Sequence, residues 1–159
     1  MEIDGSLLTI RPIEPTDADA LVRFHGGLSG ESTRLRFFTP HPRLSDREVE
    51  SFTHVDHHAR EALVALEGDN IVAVARFERV GETGEAEVAF VVADRWQHHG
   101  IAKELLRRLI ERGRDEGVDR FVADTLYENH PMIEVFEGSG FPLVRSFDQG
   151  VVHVTFPIY

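Results

Sequence analysis

Apolar and polar positions change period several times along the chain, and each change marks an element. Leu7 to Ile10 reads as a first strand, with Pro12 just past its end. Thr16 is placed to cap a short helix that carries Asp17 and Asp19 in its first turn, shows Ala20, Leu21 and Phe24 on its apolar side, and stops near Gly26-Gly27. Ser29 to Pro42 holds no sustained period and is expected to be a mobile connection carrying Arg34, Arg36, Phe37 and Phe38. Ser45 and Glu48 form a capping box that opens a second helix through Val49 and Phe52. Ala62–Leu66 and Ile71–Arg79 read as a hairpin about Gly68-Asp69-Asn70, and Gly81 to Gly84 turns into a further strand, Glu85–Val92. From Ile101 to Glu116 the period becomes helical, with Ile101, Leu105, Leu106, Leu109 and Ile110 on one face and Arg107, Arg108, Glu111 and Arg112 on the other. Arg120–Thr125 is a strand, a helix runs from about Pro131 to Glu137, and Leu143–Phe147 with Val151–Phe156 closes the chain as a hairpin about Asp148-Gln149-Gly150. A meander of strands followed by strands alternating with helices predicts a mixed α/β (α+β) sheet of about seven strands flanked by about four helices. With no repeat, linker or low-complexity stretch, residues 1–159 are expected to form one domain.

The chain is organised around the passage from the Glu85–Val92 strand to the helix at Ile101. Between them, Gly100 and Ala102 leave little side chain, so a ligand can approach the backbone. The first turn of a helix holds unpaired N–H groups and a partial positive charge. Strand, small-residue turn and helix N-terminus together make an anion site, most often for phosphate.

Gln97-x-x-Gly100-x-Ala102 resembles the Arg/Gln-x-x-Gly-x-Gly/Ala signature of the GNAT N-acetyltransferase superfamily. Downstream, Asn129 followed by a helix and Gly140-Phe141 is similar to the family's second motif, and Leu8 to Pro12 with Thr16-Asp17-Ala18 resembles its first strand and helix. Within the superfamily, Ser32–Phe38 and Arg60–Ala65 are similar to stretches of the Pat-type protein lysine acetyltransferases. The resemblance implies the GNAT splayed sheet, with acetyl-CoA as co-substrate wedged between the Glu85–Val92 and Arg120–Thr125 strands. It implies that the backbone of Phe90, Val91 and Val92 pairs with the pantetheine arm, with a Val92 N–H polarising the thioester oxygen. It assigns the pyrophosphate to the Gln97, His98, His99, Gly100, Ile101, Ala102 and Lys103 loop, with His99 nearer the phosphates than His98. Asn129 would contact the pantetheine, although an asparagine there is equally suited to cap the following helix. One departure is plain: the position seven residues after that Asn, often a tyrosine acid in the family, is Phe136, which has no proton to give.

Glu87 is the candidate general base. A lysine amine, with a reference pKa of about 10.4, is mostly charged at neutral pH and must lose a proton before it attacks. Alternation puts Glu85, Glu87, Ala89 and Val91 on one strand face, with Glu85 nearer the solvated turn. The competing reading of Glu87 is an exposed strand carboxylate. Phe37 and Phe38 could line an acceptor entrance or pack beneath the second helix.

Charge and composition narrow the classes. The net charge of −11, from 17 basic and 28 acidic residues, argues against nucleic acid and favours a basic acceptor such as lysine. No apolar run reaches the ~18 residues of a membrane span, and no secretory leader is visible. Zero cysteines excludes disulfides, thiolate zinc sites and a cysteine acyl-enzyme, and fits a cytoplasmic location. His54, His57 and His58 have helical spacing, but no H-E-x-x-H pattern accompanies them, so solvated histidines at a helix end are expected and no metal. A direct acetyl-CoA-dependent transfer to a primary amine, a protein lysine first, is the leading expectation, with a monomer or homodimer as its assembly. A small amine or a protein N-terminus is the alternative acceptor. Phe136 motivates a third reading, a non-catalytic acyl-CoA sensor, which steady CoA release with any amine would exclude. Fused regulatory domains, found in some Pat-type proteins, are not expected within this length.

Overall fold

The computed structural model describes residues 1–159. A small hairpin, β1 (Glu2–Ile3) and β2 (Ser6–Leu7), precedes β3 (Thr9–Pro12), the first strand of the main sheet. The first strand is therefore displaced from Leu7–Ile10, and Pro12 belongs to it, opposite Leu63. A proline is tolerated there because β3 is an edge strand. A turn of 3-10 helix, Pro15–Asp17, leads into α1 (Ala18–Gly26). Thr16 lies inside that turn and does not cap; a box between Glu14 and Asp17 closes it instead. Asp17 accepts both Arg11 guanidinium nitrogens at 2.8 Å and the Glu14 N–H at 2.7 Å.

The segment expected to be a mobile connection contains a helix, α2 (Gly30–Phe37), whose start is capped by Ser29 Oγ accepting the Ser32 N–H. Its sequence lacks an apolar stripe because the helix is held by polar ties. Ser29 N–H donates to Asp94, Gln97 Nε2 donates to Ser32 Oγ at 3.1 Å, and Arg34 reaches Glu128 at 2.8 Å. The expected capping box opens α3 (Asp46–Thr53), with Ser45 Oγ and the Glu48 carboxylate each accepting the other's N–H.

Then follow β4 (Arg60–Glu67), β5 (Asn70–Arg79), β6 (Glu85–Val92), α4 (Ile101–Asp115), β7 (Arg120–Leu126), α5 (His130–Glu137), β8 (Val144–Asp148) and β9 (Val151–Pro157). The seven-stranded sheet has the order β3-β4-β5-β6-β7-β9-β8. Every neighbouring pair is antiparallel except β6 with β7, which the α4 crossover makes parallel. The mixed α/β class and the seven strands thus match the sequence pattern, and α2 adds a fifth α-helix. No helix is long and apolar enough to cross a membrane.

Both faces of the central strands are covered, which is why β4 and β5 read as nearly continuous apolar runs. On one face α4 buries Ile101, Leu105, Leu106, Leu109 and Ile110 against the sheet. Gly113 permits the close approach: a Cβ there would lie 3.1 Å from Ile158 and 3.2 Å from the Phe121 ring. On the other face α1 packs Leu21 and Phe24 against Val64, Ile71 and Val74. Glu61 at the start of β4 is only 1% exposed. Its carboxylate accepts from Arg112 of α4 at 3.1 Å and meets His57 at 2.7 Å.

The Arg11–Asp17 pair gives a stability prediction. The Arg11 hydrogen bonds, opposed by burial and aided by the Glu14 N–H, hold the Asp17 carboxyl below the usual carboxylate range. Its stabilisation is therefore present above the unfolded pKa of about 3.9 and is lost as pH falls through the lower folded value. Asp17→Ala is expected to cost roughly 2 kcal/mol near neutral pH. Denaturant titrations should show that deficit shrinking towards about pH 2. A deficit that does not change with pH would contradict the assignment.

Candidate functional site

β6 and β7 pair over only three registers, Glu85 with Arg120, Ala86 with Phe121 and Glu87 with Val122. Beyond Val122 the strands part: β6 continues to Val92 beside β5, and β7 continues to Leu126 beside β9. The direction of each free backbone group follows from the neighbouring bonds. Ala93 N–H donates to Val72 on β5, while Gly84 C=O accepts from Arg120 on the β7 side. Antiparallel alternation then turns the C=O of Val88 and the N–H and C=O of Phe90 and Val92 towards β7, where no partner strand remains, while the Val88 N–H closes the last β7 pairing at Val122. Val91 differs from the expectation: its backbone faces Val74 on β5, and only its side chain lines the opening. The gap is a cavity of about 710 Å³, within the range of small-molecule sites. Phe90 forms part of its wall and is braced by Phe136, ring centroids 5.8 Å apart.

The turn into α4 forms the cavity's other end. His98 and Gly100 both have left-handed backbone, φ +66 and +83. Glu104 N–H is the first to bond within the helix, to Gly100 C=O, so the N–H groups of Ile101, Ala102 and Lys103 have no helical acceptor. A Cβ at Gly100 would meet nothing within 4 Å, so the backbone here faces open space. Gly100, Ile101, Ala102, Lys103, His98 and Gln97 all line the cavity. Gln97 acts as a strut: its Nε2 donates to Val92 C=O at 3.0 Å and to Ser32 of α2, fixing the end of β6. His99 is the exception in this loop. Its ring turns out towards Asp4 at 3.5 Å and does not line the cavity, whereas His98 does. The left-handed turn at His98 puts successive side chains on opposite sides.

Asn129 stands at the N-terminus of α5 but makes no side-chain capping bond. Its amide is therefore free, and it lines the cavity. Phe136 is 1% exposed, edge-on to Phe90 and tilted against Phe156, a core position. Tyr127 packs edge-on against His130 and Phe147, 56% exposed and outside the cavity. No tyrosine lines the cleft.

Glu87 is exposed on the opposite face of β6 from Phe90, directly across the ladder from Glu78. Like charges opposed in this way are unfavourable unless solvated. Glu85 and, through the Glu87–Val122 register, Asp124 share that face. Phe37 lines a smaller cavity on this side and lies against His41, centroids 4.3 Å apart, while Phe38 is at the surface in a left-handed C-cap. The three histidines diverge: His54 bonds to Glu50 C=O, His57 to Glu61 and His58 to Glu116. No group of three His, Asp or Glu side chains converges on a metal position. Sequence reasoning missed Ser32, Leu35 and Arg36, which reach the cavity from α2, and Glu128 and Glu134 beside α5. Only recognition of the Ser29 cap would have found the α2 residues.

Comparison with known proteins meets this geometry. The model of the Acetyltransferase (GNAT) family matches residues 30–141. Acetyltransferase Pat of Mycolicibacterium smegmatis is 32% identical over 151 residues, covering 93% of this chain and 45% of that protein. The chain thus spans less than half the length of that relative. The GNAT domain of PAT from S. lividans superimposes with a TM-score of 0.90 at 41% identity, over 97% of this chain and 92% of that one. yncA from Salmonella typhimurium, solved with its cofactor acetyl-CoA, shares the fold at a TM-score of 0.75 and 18% identity, over 94% and 92% of the two chains.

Proposed function

The chain belongs to the acetyltransferase (GNAT) family, and we propose that it moves the acetyl group of acetyl-CoA directly to the side-chain amine of a protein lysine. The observation that carries this reading is the unpaired stretch of β6 beside a helix N-terminus, both opening on one cavity. An amide-bearing pantetheine arm can take the place of the missing strand along Phe90 and Val92, and a pyrophosphate can take the free N–H groups of Ile101 to Lys103. Lys103 and Arg36 add positive charge to the same cavity. The loop residues Gln97 and Asn129 support the arm, Gln97 by fixing Val92 and Asn129 by its free amide.

Acetyl-CoA supplies an activated thioester. The Val92 N–H polarises its carbonyl oxygen, and the amine attacks the carbonyl carbon. The new C–N bond forms as the C–S bond breaks and the thiolate departs. Glu87 takes the amine's proton, directly or through one water. Phe136 is buried and no tyrosine lines the cleft, so the thiolate takes its proton from water. A thiolate is a good enough leaving group to need no stronger acid. Glu78, Glu85, Glu87 and Asp124 make the acceptor face acidic, which draws in a lysine ammonium. Their cross-strand repulsion is a local conflict of the kind found where function overrides stability.

Two measurements test this reading. Gly100→Asp would put a carboxylate into the open space the pyrophosphate requires, at a left-handed position that also disfavours a side chain. CoA affinity by calorimetry is expected to fall at least about tenfold; unchanged affinity in a folded variant would remove the loop from the site. Glu87→Gln keeps the shape and loses the basicity. Turnover near pH 7 is expected to drop on the order of hundredfold with acetyl-CoA binding retained. The deficit should shrink as pH rises towards the amine pKa of about 10.4, because the free amine needs no base. A constant deficit would mark a shaping role, and wild-type turnover would mean that the proton leaves by another route.

A further inference from the structure

Arg36 of α2 and Arg76 of β5 face each other across a small second cavity, and neither makes a hydrogen bond or an ion pair. Each lies over a ring instead, Arg36 at 4.6 Å from the Phe37 centroid and Arg76 at 4.4 Å from that of Phe52. No side-chain nitrogen sealed from solvent lacks a partner, so both guanidinium groups open to the cavity. Ala89 and Val91 of β6 form its floor, and it meets the large cleft at Arg36 and Val91, which line both. Burial, and then the like charge of Arg36, pull Arg76 down to about 9. Burial also pulls Arg36 down, against the opposing fields of Glu87 and Glu48. Half-buried positive charges side by side with carboxylates nearby but none bonded to them are unfavourable, and an anion between them removes the conflict.

The arrangement of rows says what kind of anion. Arg76 stands opposite Ala89, and Glu78 opposite Glu87 in the next same-face row, about 7 Å along the strands. A cation-binding row and an anion-binding row therefore adjoin on the acceptor face. A polyamine would meet the arginines with its own positive charge. The small cavity, about 30 Å³, has room for one or two waters. That suits a carboxylate group and falls far short of a free amino acid, so the anion is the tip of a side chain carried by something larger.

We propose that Arg36 and Arg76 form an anion subsite of the acceptor site, so that the lysine to be acetylated lies beside an aspartate or glutamate whose carboxylate enters between them. The inference rests on the reading of this face as the approach of an amine acceptor and specifies which lysines it admits.

Initial rates on lysine peptides flanked by Glu, Gln or Arg test it. The wild-type protein is expected to prefer the Glu peptide over the Gln peptide by about tenfold in kcat/KM and to disfavour the Arg peptide. Arg76→Gln and Arg36→Gln should each lose more on the Glu peptide than on the Gln peptide, bringing the two together; a purely structural role would depress both alike. Equal wild-type rates on the three peptides, or a preference that survives both variants, would overturn the subsite and leave lysine acetylation standing. A binding readout needs no turnover: the Nε–Hε NMR signals of Arg36 and Arg76, titrated with the Glu peptide carrying Gln in place of its lysine. Both signals are expected to shift, and their failure to move at millimolar peptide would overturn the proposal. Shifts without acetylation of any peptide would remove the lysine acceptor while leaving the subsite in place.

Discussion

The structure depends on the place where one ladder of hydrogen bonds stops. β6 and β7 are neighbours in the sheet, yet only Glu85 to Glu87 find partners on β7. Beyond the Val88 N–H, β6 is an interior strand with one open edge. An unpaired strand edge is ordinarily a liability that proteins cover. Here it is enclosed by α2, α5 and the α4 turn, whose residues line the same cavity. Enclosure prevents pairing with another chain while leaving backbone donors and acceptors for a ligand of strand-like form. The α4 N-terminus adds a second set of unsatisfied N–H groups at the end of that edge. Both sets arise from topology, because a parallel crossover must leave a strand and enter a helix at this end of the sheet.

Charge divides the two sides of β6. The Phe90 side is apolar and braced by Phe136, whereas the Glu87 side is open and strongly polar. α2 sits over the boundary, tied by Ser29 and Ser32 to the β6–α4 connection and by Arg34 to Glu128 ahead of α5. Its Arg36 belongs to both cavities, so movement of this helix changes the cleft and the acceptor side together. The exposed Arg34–Glu128 pair is worth little by itself. The half-buried amide of Gln97, bonded to both Val92 and Ser32, is the firmer tie.

Much of the fold was legible because period and composition changed together. The Glu85–Val92 strand and the helix from Ile101 lie where alternation gives way to helical spacing, and Ser45 with Glu48 caps as its spacing requires. The Gly100 and Ala102 turn was legible for the same reason: small residues marked open backbone, and the space beside Gly100 is indeed empty. α2 was not legible, because its stability comes from distant polar partners and leaves no apolar stripe. Thr16 looked like a cap because the pull of Arg11 on Asp17 is a tertiary contact that no local pattern reports. His98 and His99 are adjacent, so which one meets the cleft depends on a left-handed backbone that sequence does not display. Arg36 and Arg76 are far apart in sequence, and their shared lack of a bonded carboxylate exists only in the folded chain.

Amide hydrogen exchange with and without CoA tests the central claim most directly. If the open edge of β6 and the first turn of α4 hold the ligand, the N–H groups of Phe90, Val92, Ile101, Ala102 and Lys103 gain protection on binding. Val91, already bonded to β5, changes little. Saturable CoA binding with Phe90 and Val92 left as exposed to exchange as before would contradict the account.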